Sequence, residues 1–246
     1  ELPEDFLVIS EVIRGAQEPV RPEEYLEAGD VFEFAWGRDL AGIVKGGSLR
    51  LALELGSQEG SSTYLPSAAA WIFVDNHDTE RGDQTLSYKD GQDYALATAL
   101  MLASDYGRPV VYSGFAFRDR EAGPPQDAEG AVLDAECPEG VGPEAELAEG
   151  DWVCQHAWPS IEGVVGWRAA VGPAGEDAST SVDGRVVAIG RGQRGWLVAN
   201  GNREPTPQRL ATGLEPGAYC DVAQGSPAED GACVGEPVLV DEEGSA

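Results

Sequence analysis

The sequence predicts an α/β chain that becomes all-β near its end, and three observations carry that reading. Residues 1 to about 172 alternate apolar runs with helical periodicity, the pattern of parallel βαβ units. The run Ala68-Ala69-Ala70-Trp71-Ile72-Phe73 is continuously apolar, which is how a strand buried on both faces reads. Beyond Gly172 the texture changes to short alternating runs punctuated by glycine, a sign of antiparallel strands. The division is therefore residues 1–173 for the α/β part and 174–246 for a β-domain.

The first element is the apolar run Phe6-Leu7-Val8-Ile9-Ser10, which ends in the carboxylate of Glu11 before Val12-Ile13. The second clear strand, Ala68 to Phe73, delivers Val74-Asp75-Asn76-His77-Asp78 to one edge of a sheet. In α/β barrels the chemistry sits where such strands end, which makes Glu11, His77 and Asp78 site candidates. A plainer alternative is that Asn76 and Asp78 only cap a turn or helix start, as these residue types do, and that Glu11 is a surface acid. Tyr88 to Tyr106 reads as the clearest helix, with Tyr94, Ala95, Leu96, Ala99, Leu102 and Ala103 at spacings of three and four and Gly107 and Pro109 as stops. Val110-Val111-Tyr112 follows as a strand. Val186 to Gly190, Gly195 to Asn200 and Pro237 to Val240 are the antiparallel candidates.

Composition excludes several functions. Forty-four acids against sixteen bases give a formal charge of −28, which argues against nucleic acid or an anionic membrane as a partner. No run of eighteen apolar residues is present, so no membrane-spanning helix is expected. The four cysteines allow three connectivities, and their presence points to an oxidising, extracellular setting. No Cys-x-x-Cys spacing suggests zinc, and residues 121–151, with ten acids and no Lys or Arg, match no EF-hand. That segment reads as a solvated loop.

Phe73-Val74-Asp75-Asn76-His77-Asp78 with Glu80-Arg81-Gly82 resembles the seventh-strand motif of the α-amylases, retaining glycoside hydrolases of α-1,4-glucans, and Ser10-Glu11-Val12-Ile13 resembles their fifth-strand motif. Asp30-Val31-Phe32-Glu33-Phe34 is similar to the sixth strand, Leu102 to Gly107 and Pro109 to Gly114 to the seventh helix and eighth strand, and Ile161 to Gly172 to the last barrel helix. Val187 to Val198 and Gly213 to Val222 resemble the C-terminal β-domain. The resemblance implies the second half of a (β/α)8 TIM barrel followed by an antiparallel all-β domain, incomplete at its end. It also implies local disulfides, Cys137 with Cys154 and Cys220 with Cys233.

The same resemblance assigns roles. Glu11 is the acid and later the base, its proton retained by apolar surroundings at the strand end. Asp78 is the third acid, which binds sugar hydroxyls and stabilises the oxocarbenium-like transition state. His77 contacts the same sugar, while Ile13 and Glu18 line the cleft. Trp71 and Phe73 belong to the core. The nucleophile, an aspartate in a Gly-Phe-Arg-x-Asp-Ala pattern, has no counterpart in residues 1–246, and the calcium ligands of the family lie in the same absent half. The sequence, which starts without Met, therefore reads as a fragment that needs the N-terminal half of its barrel. Chloride is not expected to bind, because Val110 stands where chloride-binding members have an arginine opposite the asparagine matched by Asn76. Arg108 lies two residues earlier, beyond Pro109.

The expected function is endo-hydrolysis of α-1,4-glucosidic bonds in starch and related glucans by a secreted enzyme, with this chain alone inactive. A non-catalytic glucan-binding or interaction protein on the same scaffold is the alternative. A free-standing β-domain with disulfides would leave the strands carrying Glu11 and Asp78 unexplained. With lysine confined to Lys45 and Lys89, the carboxylate excess suits solubility in strong salt. Solubility and activity measured from dilute buffer to molar salt should hold or rise; an optimum in dilute buffer contradicts this.

Overall fold

A computed structural model of the chain describes residues 6–15, 17–56, 64–172, 179–228 and 230–246. Four short strands, β1 (Ile9–Ser10), β2 (Asp30–Phe32), β3 (Ala70–Phe73) and β4 (Arg108–Val110), pair in parallel and in chain order. Ser10 lies beside Val31, Val31 beside Ala70, and Phe73 beside Val110. Parallel neighbours need a crossover between them. Helices α1 (Phe34–Gly46) and α2 (Gln92–Ala103) provide it after β2 and β3, and α3 (Pro159–Val171) follows the long loop after β4. Each helix packs on the next and carries its apolar residues inward: Leu40 and Val44, then Leu100 and Met101, then Ile161 and Val164.

The antiparallel part forms two sheets. β5 (Ser179–Ser181), β6 (Val186–Gly190) and β7 (Trp196–Asn200) make the first, and β8 (Gly217–Tyr219) with β9 (Val238–Val240) the second. All five residues of β6 are buried. The disulfides pair locally, Cys137 with Cys154 and Cys220 with Cys233.

Several strand and helix limits differ from those the sequence suggests. The helix placed over Tyr88 to Tyr106 is α2 alone: Ser87 and Asp90 form a reciprocal cap on a single 3-10 turn, and Gly91, at φ 55°, reverses the chain before α2 begins. The strand placed at Val110 to Tyr112 starts two residues earlier, because pairing with β3 ends where β3 itself turns away after Phe73. Pro109 is tolerated there because β4 has β3 as its one ladder partner among the described residues. Of Phe6 to Ser10, only Ile9 and Ser10 pair. Phe73 is buried core as expected, whereas Trp71 is half-buried and donates its indole N–H to Asp30 at 2.8 Å.

Three arginines join these parts. The last carbonyls of a helix lack internal partners and carry partial negative charge, which a cation can satisfy. Arg185, just before β6, donates to the carbonyls of Val44 and Gly47 at 3.1 and 2.9 Å. Arg191, after β6, donates to the Ala103 carbonyl and to Asp105, the latter at 2.9 Å. Arg168 of α3 donates to the carbonyls of Leu102 and Ser104. The first two fasten the antiparallel sheet to the ends of α1 and α2. The third ties α3 to α2.

Gly163 marks a second fastening, between α3 and the turn Val222–Gln224: a Cβ there would lie 1.7 Å from the Val222 carbonyl oxygen. Gly163→Ala should lower stability by about 1–3 kcal/mol through overpacking, despite the better helix propensity of alanine. Chemical denaturation would show it, and an unchanged or raised midpoint would contradict the close approach.

Candidate active site

The carboxyl ends of β1, β2 and β3 place Glu11, Glu33 and the segment from Val74 to Asp78 on one side of the sheet. Glu11 follows β1 directly and is exposed. It lines an open cleft of about 670 Å³ with Ile13, Glu18, Val20 and Tyr25. The loop that forms this cleft folds on itself: Arg21 donates to the Gly15 carbonyl at 2.8 Å, and the Glu18 carboxyl lies close over Gly15. Glu11 lines one cleft with Ile13 and Glu18, the two residues the resemblance names as cleft-lining. The apolar enclosure expected around Glu11 is not supplied by the described residues, because its side chain faces solvent.

Asn76, His77 and Asp78 lie beyond the end of β3 and do not line that cleft. With β2 between them, β1 and β3 are two strand spacings apart, about 10 Å. Asn76 is a turn residue: its side-chain oxygen accepts the backbone N–H groups of Asp78 and Thr79 at 3.1 and 2.8 Å, while Thr79 Oγ1 accepts the Asn76 N–H at 2.9 Å. Asp78 occupies the N-cap position of the 3-10 turn Thr79–Arg81, yet its side chain makes no cap bond. Its carboxylate is 64% exposed, with His77 Nε2 at 3.8 Å and the imidazole 65% exposed. The capping alternative therefore holds for Asn76 and fails for Asp78.

Beneath this exposed pair lie acids that the motif reading passed over. Asp75 is 1% exposed and accepts the Tyr94 hydroxyl at 2.9 Å. Glu80 is 2% exposed and accepts the Tyr112 hydroxyl at 3.0 Å. Burial pushes both carboxyls above their ordinary pKa, Asp75 strongly so and further through repulsion from Glu80. Glu33 is also buried, and its pKa is raised by desolvation although it accepts the backbone N–H groups of Ala35 and Leu65. It caps α1 and holds the chain at Leu65 against β2. The sequence holds a partial signal for Glu33 and Asp75: Glu33 stands between Phe32 and Phe34, and Asp75 closes a run with no other charge, but Glu11 closes a similar run and is exposed.

Arg81 closes the arrangement. Its Nε donates to the His77 carbonyl at 3.1 Å, and its guanidinium lies over the Phe117 ring, 4.7 Å from the centroid. Ser113, beyond β4, meets His156 Nδ1 at 2.7 Å. Among the described residues no group of three or more His, Cys, Asp or Glu side chains could hold a metal ion. Among the described residues no helix is long and apolar enough to cross a membrane.

Comparison with known proteins gives consistent matches. The family described as alpha amylase, C-terminal all-beta domain, matches residues 179–246. An α-amylase of Streptomyces violaceus is 39% identical over 219 residues, covering 88% of this chain and 35% of that protein. An α-amylase of Tenebrio molitor is 37% identical over 242 residues, covering 97% of this chain and 49% of that protein. The chain thus spans about a third to a half of the length of these relatives. The crystal structure of α-amylase I from Eisenia fetida superimposes with a TM-score of 0.82 at 27% identity, over 96% of this chain and 50% of that one. A complex of a variant of that enzyme with maltohexaose superimposes with a TM-score of 0.81.

The buried Glu80 makes stability depend on pH. Its folded carboxyl keeps a proton above the ordinary value of 4.5, so above that value the folded state binds more protons than the unfolded one, and stability falls as pH rises through the raised folded pKa. In Glu80→Gln that contribution is absent. Melting temperatures measured from about pH 4.5 toward neutrality should favour the variant increasingly as pH rises, and parallel curves would contradict this.

Proposed function

Over the length it spans, the chain belongs to the α-amylase family, and we propose that it forms the second half of a (β/α)8 barrel whose carboxyl-end face hydrolyses α-1,4-glucans such as starch. The observation that supports this reading most directly is the pairing of Asp78 and Glu11 on one side of a parallel sheet, with Asp78 released from capping. An exposed carboxylate with no structural duty, held on a locally fixed turn, is available to a ligand.

In a retaining glycosidase one carboxyl protonates the departing glycosidic oxygen and a second attacks the anomeric carbon. In this proposal Glu11 gives its proton to the leaving oxygen and later takes one from the attacking water. Asp78 accepts hydroxyls of the sugar undergoing cleavage and opposes the positive charge developing on its ring. His77 donates to the same sugar, and Ile13 and Glu18 line the adjoining cleft. The attacking carboxylate is assigned to sequence outside residues 1–246, so the chain by itself should not hydrolyse starch. The residue set for calcium is likewise assigned, by the family resemblance, to sequence outside residues 1–246, and no step here runs through a metal ion. Secretion fits the two disulfides, and chloride independence is proposed from Val110.

In the complete enzyme, Glu11→Gln or Asp78→Asn should reduce starch hydrolysis by about 10³-fold or more with the melting temperature retained. Near-normal turnover in either variant refutes its assignment. Turnover at fixed ionic strength should not vary with chloride concentration, and a steep dependence would refute that part.

A further inference from the structure

The turn that carries His77 and Asp78 is fixed internally by Asn76 and Thr79, but those bonds set only its local shape. Its position relative to the loop after β4 depends on side chains that cross between them. Arg81 is the main one. Its Nε donates to the His77 carbonyl at 3.1 Å and its Nη1 to the Arg120 carbonyl. The guanidinium lies 4.7 Å from the ring centroid of Phe117 and 5.7 Å from that of Phe115, both rings being almost fully buried.

The wall that Arg81 grips is itself well anchored. Ala116 exchanges backbone hydrogen bonds with Asp151 and Gly150, each at 2.7 Å, and Val153 donates to the Gly114 carbonyl at 2.9 Å beside the Cys137–Cys154 bridge. The Phe117 N–H donates to the Tyr88 hydroxyl at 3.0 Å, and Lys89 Nζ lies 3.5 Å from the Phe117 centroid.

We propose that Arg81 is a positioning residue, which sets where His77 and Asp78 stand by clamping the His77 carbonyl of their turn to the Phe115–Arg120 wall. A planar guanidinium can donate to two carbonyls in fixed directions while stacked on a ring, whereas the ammonium of lysine can supply charge but not that fork. The kinetic consequence rests on the functional reading above. The structural consequence does not.

The two histidines of the chain provide the measurement, His77 inside the clamped turn and His156 held by Ser113 outside it. In the full chain, Arg81→Ala and Arg81→Lys should both shift the ring resonances of His77 and leave those of His156 in place. In the complete enzyme, turnover should fall by about 10²-fold with KM nearly unchanged, the cost of a small misplacement. If His77 does not move in Arg81→Lys, or if lysine restores parental turnover, the proposal is overturned. Because Arg81→Lys keeps the charge and a cation over the ring, it decides the matter even if Arg81→Ala fails to fold. Should His77 move while Glu11→Gln leaves hydrolysis intact, the functional reading fails and the clamp stands.

Discussion

Parallel pairing of four strands in chain order is the constraint on which the rest of the structure depends. Each crossover must return the chain to the same starting side, so every loop that follows a strand emerges on one face. That geometry alone brings Glu11, Glu33, the Asn76 to Asp78 turn and Ser113 to a common side, although more than a hundred positions separate the first from the last. The helices run back the opposite way, so their carboxyl ends lie at the far side. There Arg185 and Arg191 attach the antiparallel sheet to α1 and α2. The candidate site and the attachment thus occupy opposite ends of the layer, and loops at the candidate-site end can differ without loosening the attachment.

Charge placement follows the same economy. With 44 acids and only 16 bases, most carboxylates can have no close cation. The three buried acids near the site are held mainly by neutral donors: tyrosine hydroxyls for Asp75 and Glu80, and backbone N–H groups for Glu33. Burial favours their protonated forms, so repulsion within the cluster is limited where solvent cannot screen it. Arg14, Arg50, Arg108 and Arg209 pair with carboxylates, and other arginines serve at carbonyl groups, where a fork of donors is needed. Arg168, Arg185, Arg191 and Arg81 all fit that description, with Arg191 also reaching Asp105.

The sequence made the strand ends legible because continuous apolar runs have few other readings. It exposed Glu11 and Asp78 because an acid at the end of such a run stands out. It could not separate Asn76 from Asp78, since both residue types cap turns, and the distinction rests on which side chain points back at the backbone. Helix limits were harder to read: Gly91 interrupts a pattern whose apolar spacing runs on through it. Arg81 and Glu80 were visible only as letters beside a motif, because their partners Phe117, Arg120 and Tyr112 lie about thirty to forty positions away. The local disulfides agree with the family pattern.

The central claim is that the ends of β1 and β3 serve one sugar chain. It is tested most directly by a crystal structure of the complete enzyme carrying Glu11→Gln, grown with maltohexaose. The account predicts one glucosyl unit whose hydroxyls bond to Asp78 and whose glycosidic oxygen faces the side chain at position 11. A maltohexaose bound away from both positions, or reaching only one of them, would contradict it.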